Sequence, residues 1–177
     1  MKVLIFNNYG KQGALLISNS GNETLREILR RYPTGVTVVT SIQKDGSFCG
    51  GTMNSFTSVS LDPPLLALFI IKGSRTARAI EESGKFIVNI LKGTQECTAK
   101  DFATDGNADK FAGHSYSLSK SGIPVLNDSL GHIECTLYKR EEIADHIMVV
   151  GRVANCNVIS DEPAMVFYKR KFMSAIQ

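Results

Sequence analysis

Asp45-Gly46 stands between two β-prone runs, Val36 to Ile42 and Phe48 to Asn54, and commits this part of the chain to an antiparallel hairpin. The second run does not end as an ordinary strand. It passes through Gly50 and Gly51 into small hydroxyl and amide residues, Thr52, Asn54, Ser55, Thr57, Ser58 and Ser60, before Asp62-Pro63-Pro64 stops it. Glycines remove side chains where a backbone approaches a ligand closely, and a row of hydroxyl and amide groups suits a flat polar ligand. The same composition also suits a plain hairpin with a solvated exit.

Leu25, Ile28, Leu29 and Tyr32 recur at i, i+3, i+4 and i+7, which predicts a helix from about Asn22 that Pro33 and Gly35 terminate. Leu65 to Ile71 is apolar on both faces, as a strand buried on both sides must be. Ser74 caps a helix reaching Ser83, where Gly84 supplies a left-handed stop. A strand at Phe86 to Leu91, a short helix at Thr94 to Phe102 and a helical or turn-like Asp105 to Gly113 follow. In the second half, Ile133, Cys135 and Leu137 alternate with His132, Glu134, Thr136 and Tyr138, the period of a half-buried strand. Ile147 to Val153 and Ala154 to Ile159 make one long strand or two, bent near Gly151, and Ala164 to Tyr168 a last one. So many strands with isolated helices do not follow the alternation of a parallel sheet. The expected class is therefore mainly β with flanking helices, an antiparallel barrel.

Residues 1–21 are mixed in character and read as an N-terminal arm, with 22–177 as the domain proper. The 177 residues suit one domain, and a net charge of +3 with a single cationic run, Lys169-Arg170-Lys171, argues against a nucleic-acid partner. Cys49, Cys97, Cys135 and Cys156 are scattered singly, so no metal site is expected and reduced thiols point to a cytoplasmic protein. The longest apolar run, Leu65 to Ile71, is too short to span a membrane, and Val3 to Phe6 is too short for a signal peptide. Neither GxGxxG nor GxxxxGK[ST] occurs, so any nucleotide is held by other means.

Three further places carry two readings each. Gly73-Ser74-Arg75-Thr76 opens a helix: either Ser74 is a plain cap with Arg75 in solvent, or amides, hydroxyls and guanidinium converge on a phosphate. Asp109-Lys110-Phe111 offers a core anchor in Phe111 and a surface charge in Lys110. His146, after Asp145 and before an apolar run, is a hydrogen-bonded structural residue or a functional one.

Read in order, PTGVTVV, DG and GTMNSFTSVSLDPPL, then GSRTARAIEESGKFIVNIL (Gly73 to Leu91), DKFAG (Asp109 to Gly113), DHIMVVGRV (Asp145 to Val153) and FYKRKF (Phe167 to Phe172) closely resemble the flavin reductase-like domain. This is the small partner of two-component flavin monooxygenases, and the resemblance is nearly continuous from Leu25 to Phe172. It implies an antiparallel split β-barrel that binds FMN, or alternatively FAD. The matching cofactor residues are Thr34, Gly35, Thr52, Met53, Asn54, Ser55, Thr57 and Ser58, with Ser74, Arg75 and Thr76 for the phosphate. Lys110 and Phe111 fall near the flavin or its phosphate tail, and Tyr168 and Arg170 match a terminal aromatic-basic element, although Phe172 stands where a tyrosine is common. His146 takes the catalytic position on the nicotinamide side. The implied activity is hydride transfer from NADH or NADPH to flavin, with the reduced flavin passing to a separate monooxygenase or another acceptor. The resemblance also implies a homodimer with flavin near the interface. Two other readings of the same chain are a flavin-binding electron carrier that barely accepts electrons from NAD(P)H, and a flavin-free scaffold barrel.

Overall fold

The computed structural model describes residues 19–104 and 109–175. Most of the predicted arm therefore lies outside the described residues. In chain order the elements are α1 (Asn19–Leu29), β1 (Thr34–Gly35), β2 (Thr37–Ile42), β3 (Phe48–Met53), β4 (Thr57–Leu61), β5 (Pro64–Ile71), α2 (Arg75–Ser83) and β6 (Lys85–Ile90). There follow α3 (Glu96–Ala103), β7 (Tyr116–Leu118), β8 (Pro124–Leu126), β9 (Gly131–Ile143), β10 (His146–Val158), β11 (Met165–Tyr168) and β12 (Lys171–Ser174). No helix among the described residues is long and apolar enough to cross a membrane.

Seven strands form the main sheet in the order β3-β2-β6-β9-β10-β5-β4, every pair antiparallel. The predicted β2–β3 hairpin is present, its turn closed by Gln43 N–H to Ser47 O at 2.9 Å with Gly46 at φ 84°. Smaller sheets join β1-β11-β12 and β7-β8. The mainly β, antiparallel expectation holds, but the sheet does not close: β3 and β4 are its two edges, with no ladder between them among the described residues. The reason lies in the chain that links them. Ser55 uses its side chain where a ladder would use backbone, its Oγ donating to Phe69 O at 2.8 Å and accepting from Phe69 N–H at 3.2 Å. α2 lies against β3 and β5 as well as β2 and β6, across the same gap.

β4 is a strand in its own right. The polar stretch after Asn54 continues into a hairpin partner of β5 rather than a mere exit, with Asp62-Pro63 as the turn. Nor is β5 buried on both faces: Leu66, Leu68 and Ile70 point into the core, whereas Phe69 is half-buried and Ile71 is 50% exposed. Successive strand residues face opposite ways, so only one set can enter the interior. β10 is one strand of 13 residues with register shifts at Val150/Gly151 and Val153/Asn155, which is where the bend near Gly151 was expected.

The main core gathers Val39, Leu66, Leu68, Ile70, Phe86, Val88, Cys135, Ile147 and Val149 from five strands, and Ala77 and Ile80 of α2 complete it. Each of its large side chains contributes about 1.5–3 kcal/mol by leaving water. A second core, with Val36, Val38, Leu91, Phe102, Phe111 and Met165, lies between the main sheet, α3 and the small sheet.

Candidate functional site

The sequence-predicted residues separate into two groups. The larger surrounds the end of β3 and the start of α2. There Ser74 caps α2, its Oγ accepting from Ala77 N–H at 3.2 Å, and Gly84 ends the helix at φ 66°, both as expected from the sequence. The cap satisfies one of the amide donors that every helix start leaves open. Thr76, the next hydroxyl side chain, is buried against β3, where a Cβ on Gly51 would come within 3.2 Å of its Oγ1.

That contact corrects one expectation. The space left by Gly50 and Gly51 is filled by protein, by Phe102 at Gly50 and Thr76 at Gly51, rather than kept clear for a ligand. Two side-chain assignments shift as well. Thr52 Oγ1 spends its proton on Ala99 O at 2.7 Å, leaving only lone pairs for a ligand, and the Ser55 hydroxyl is engaged by Phe69 in both directions. Met53 leans on the main core, and its carbonyl accepts from Thr37 Oγ1 at 2.9 Å. Thr57 is exposed, with a 3.3 Å contact from Oγ1 to Ser58 O. Asn54 and Ser58 are also exposed, and their side chains make no hydrogen bond among the described residues.

Two cations reach this region from different elements. Lys110 Nζ donates to Phe102 O at 3.1 Å and Gly50 O at 3.3 Å, which ties it to both α3 and β3. Arg75 begins α2. Burial pushes the Cys49 thiol in β3 up to about 11, with the positive charges of Arg75 and Lys110 pulling it the other way. Phe111 is 5% exposed, and its ring packs edge-on against Phe48, Phe102 and Tyr116. Its ring is therefore committed to the second core, and the neighbouring Lys110 is what this segment can offer a ligand.

His146 begins β10 directly opposite Ile71, three residues before Ser74, so the register brings it to the end of the sheet from which the chain enters α2. It is 6% exposed, and its Nδ1 lies 2.8 Å from Asp145 Oδ1. Asp145 itself was not singled out in the sequence, although an acid next to a histidine was its signal. Phe69 and Ile71 were also missed as residues turned away from the core, since the apolar run containing them masks which members face outward.

The second group lies on the small sheet. Thr34 pairs with Phe167, and its Oγ1 is buried with no hydrogen-bond partner among the described residues. Tyr168 precedes the β11–β12 turn, whose residues Lys169 and Arg170 have φ 47° and 65°, and Lys169 N–H donates to Arg30 O at the end of α1. Gly35 follows Thr34 in β1 with open space around it. Neither group lines the polar cleft of about 430 Å³ between the start of α3 and Gly113 to Ser115, where His114 is held by Thr98 and Asp101.

Residues 29–175 match the family described as the flavin reductase like domain. The chain is 41% identical over 144 residues to a flavin reductase of Pseudomonas putida, covering 81% of this chain and 84% of that protein. It is 37% identical over 160 residues to the reductase subunit HsaB of a flavin-dependent monooxygenase from Rhodococcus jostii, covering 90% and 81% respectively. Among solved structures, the NADH:FAD oxidoreductase SgcE6 of Streptomyces globisporus, in complex with NAD and FAD fragments, superposes with a TM-score of 0.82 at 32% identity. That match covers 92% of this chain and 98% of SgcE6.

Proposed function

The chain belongs to the flavin reductase-like domain family, and on that premise we propose an assignment of its residues to flavin and nicotinamide. It is an NAD(P)H-dependent flavin reductase that serves a flavin-dependent monooxygenase. Flavin, when bound, would supply the electron sink that accepts a hydride from the nicotinamide.

The donor set fits such a group. Among the described residues, Thr34 carries a buried hydroxyl without a partner, and Asn54 and Ser58 present polar side chains with no hydrogen bond. A flavin's pyrimidine edge alternates carbonyls and N–H, which such groups can pair in one plane. The remaining predicted β3–β4 residues, Thr52, Met53, Ser55 and Thr57, shape that wall chiefly through backbone and packing. At the other end, the start of α2 with Ser74, Arg75 and Thr76, reinforced by Lys110, holds the phosphate. The observation that carries this assignment is that the start of α2, through Thr76 against Gly51, and Lys110, bonded to Gly50 O at 3.3 Å, meet at adjacent residues of β3. No side chain has to exchange a proton in the hydride step. The protein binds, orients and excludes water, and His146 orients the nicotinamide.

A homodimer is part of the same proposal. Thr34, Tyr168 and Arg170 sit on a different sheet from the β3–α2 group, and a second copy can bring one set to the other. Leu61 at 91% exposure and Val158 at 77% provide apolar surface for such pairing. Light scattering is expected to give twice 19.3 kDa. The assignment is tested by anaerobic titration with FMN and FAD, followed by NADH or NADPH: the yellow colour is expected to bleach. A protein that takes up no flavin, or holds flavin that neither NADH nor NADPH bleaches, refutes it.

A further inference from the structure

His146 is buried at the start of β10, while the side chain of Asp145 before it is 70% exposed. Asp145 lies in the two-residue turn between β9 and β10, and its carbonyl accepts from Lys72 N–H at 3.0 Å, which fixes the turn against the end of β5. Its Oδ1 stands 2.8 Å from His146 Nδ1. An ionised carboxylate can only accept, so the proton in this bond sits on Nδ1. In the neutral ring Nε2 is then bare, and it takes no hydrogen bond from any described residue.

We infer that Asp145 is a positioning residue: its carboxylate holds His146 as the Nδ1–H tautomer and keeps Nε2 as an acceptor. The inference rests on the reading of His146 as the nicotinamide-side residue, and deepens it by naming what the ring offers. The exocyclic amide of reduced nicotinamide carries N–H donors. A bare Nε2 accepts from one of them, whereas an Nε2–H would meet it donor to donor. A carboxylate that orients an imidazole through Nδ1 is a general device for choosing which nitrogen faces the substrate.

The test is ¹H–¹⁵N correlation of the histidine rings in ¹⁵N-labelled full-length protein saturated with FMN, with His114→Gln and His132→Gln variants for assignment. Wild-type His146 is expected as Nδ1–H. Asp145→Asn offers an amide N–H to Nδ1 and is expected to move the ring to Nε2–H, while Asp145→Glu retains Nδ1–H. In steady state Asp145→Asn is expected to raise KM for NADH about tenfold, the loss of one hydrogen bond to substrate, with FMN affinity unchanged. A wild-type ring found as Nε2–H, or a tautomer unmoved in Asp145→Asn, overturns the inference. If the tautomer switches as expected and His146→Gln leaves KM for NADH unchanged, the positioning role stands and the nicotinamide reading of His146 falls.

Discussion

The ring of Phe102 occupies the place of the side chain that Gly50 lacks: a Cβ there would lie 2.9 Å from Phe102 Cε1 and 3.2 Å from Val39 O. α3 can approach β3 only because of that absence. The approach also lets Lys110 bridge Gly50 O and Phe102 O, so one glycine sets the position of a cation in the proposed phosphate site. Gly50→Ala forces a ring locked edge-on against Phe111 to move, which is expected to cost about 1–3 kcal/mol of stability. Urea unfolding measures it, and an unchanged midpoint would show that α3 can retreat freely.

The four thiols divide evenly. Cys49 and Cys135 are buried, with burial pushing them up to about 11 and about 12, while Cys97 and Cys156 are exposed. A thiol reagent at pH 8 is expected to modify two cysteines rapidly in the native protein and all four after unfolding. Both buried thiols bind their protons more tightly folded than unfolded. Their contribution is therefore complete below the ordinary thiol value of 9.0 and is lost as pH rises through the folded values. Stability measured from pH 8 upward should fall in that alkaline range, and less steeply in Cys135→Ala corrected for its lost packing.

Ala144 is the first residue of the two-residue turn between β9 and β10 and has φ 53°, a conformation in which a side chain is strained. Ala144→Gly removes that strain at the cost of a more flexible unfolded chain. The balance is expected to favour the variant by about 0.5 kcal/mol. A rise in Tm checks it, and a fall would mean that the turn holds its shape without strain.

Much of this architecture is legible in the sequence because single residues decide it locally. Ser74 and Gly84 bracket α2, Asp45-Gly46 closes the first hairpin, and the alternation of Ile133, Cys135 and Leu137 marks the buried face of β9. β4 is not legible, since Thr57 to Leu61 is an edge strand lying mostly in solvent: Val59 and Leu61 alternate with Ser58 and Ser60, but at 53% and 91% exposure they mark no buried face. The glycines show a different limit. Sequence reveals that Gly50 and Gly51 make room, but the occupants, Phe102 and Thr76, come from helices 52 and 25 positions further along. Likewise Thr52 and Ser55 are the hydroxyls that a ligand site would need, yet tertiary packing engages them with Ala99 and Phe69.

That engagement ranks the site residues experimentally. Asn54 is exposed and makes no side-chain bond among the described residues, so Asn54→Ala removes little that holds the fold together. Under the proposed assignment it is expected to weaken FMN binding about tenfold, the worth of one good polar contact, with Tm nearly unchanged. Arg75→Gln should weaken FMN binding by at least as much, because a charge-assisted bond to phosphate is stronger than a neutral one, and its effect should shrink at high salt. Lys110→Met differs in kind. It strips two backbone carbonyls of their donor and should lower Tm together with flavin affinity. Fluorescence quenching of FMN alongside thermal unfolding separates the three. If Asn54→Ala and Arg75→Gln bind FMN as tightly as wild type while Lys110→Met loses only stability, the β3–α2 site is not where flavin sits.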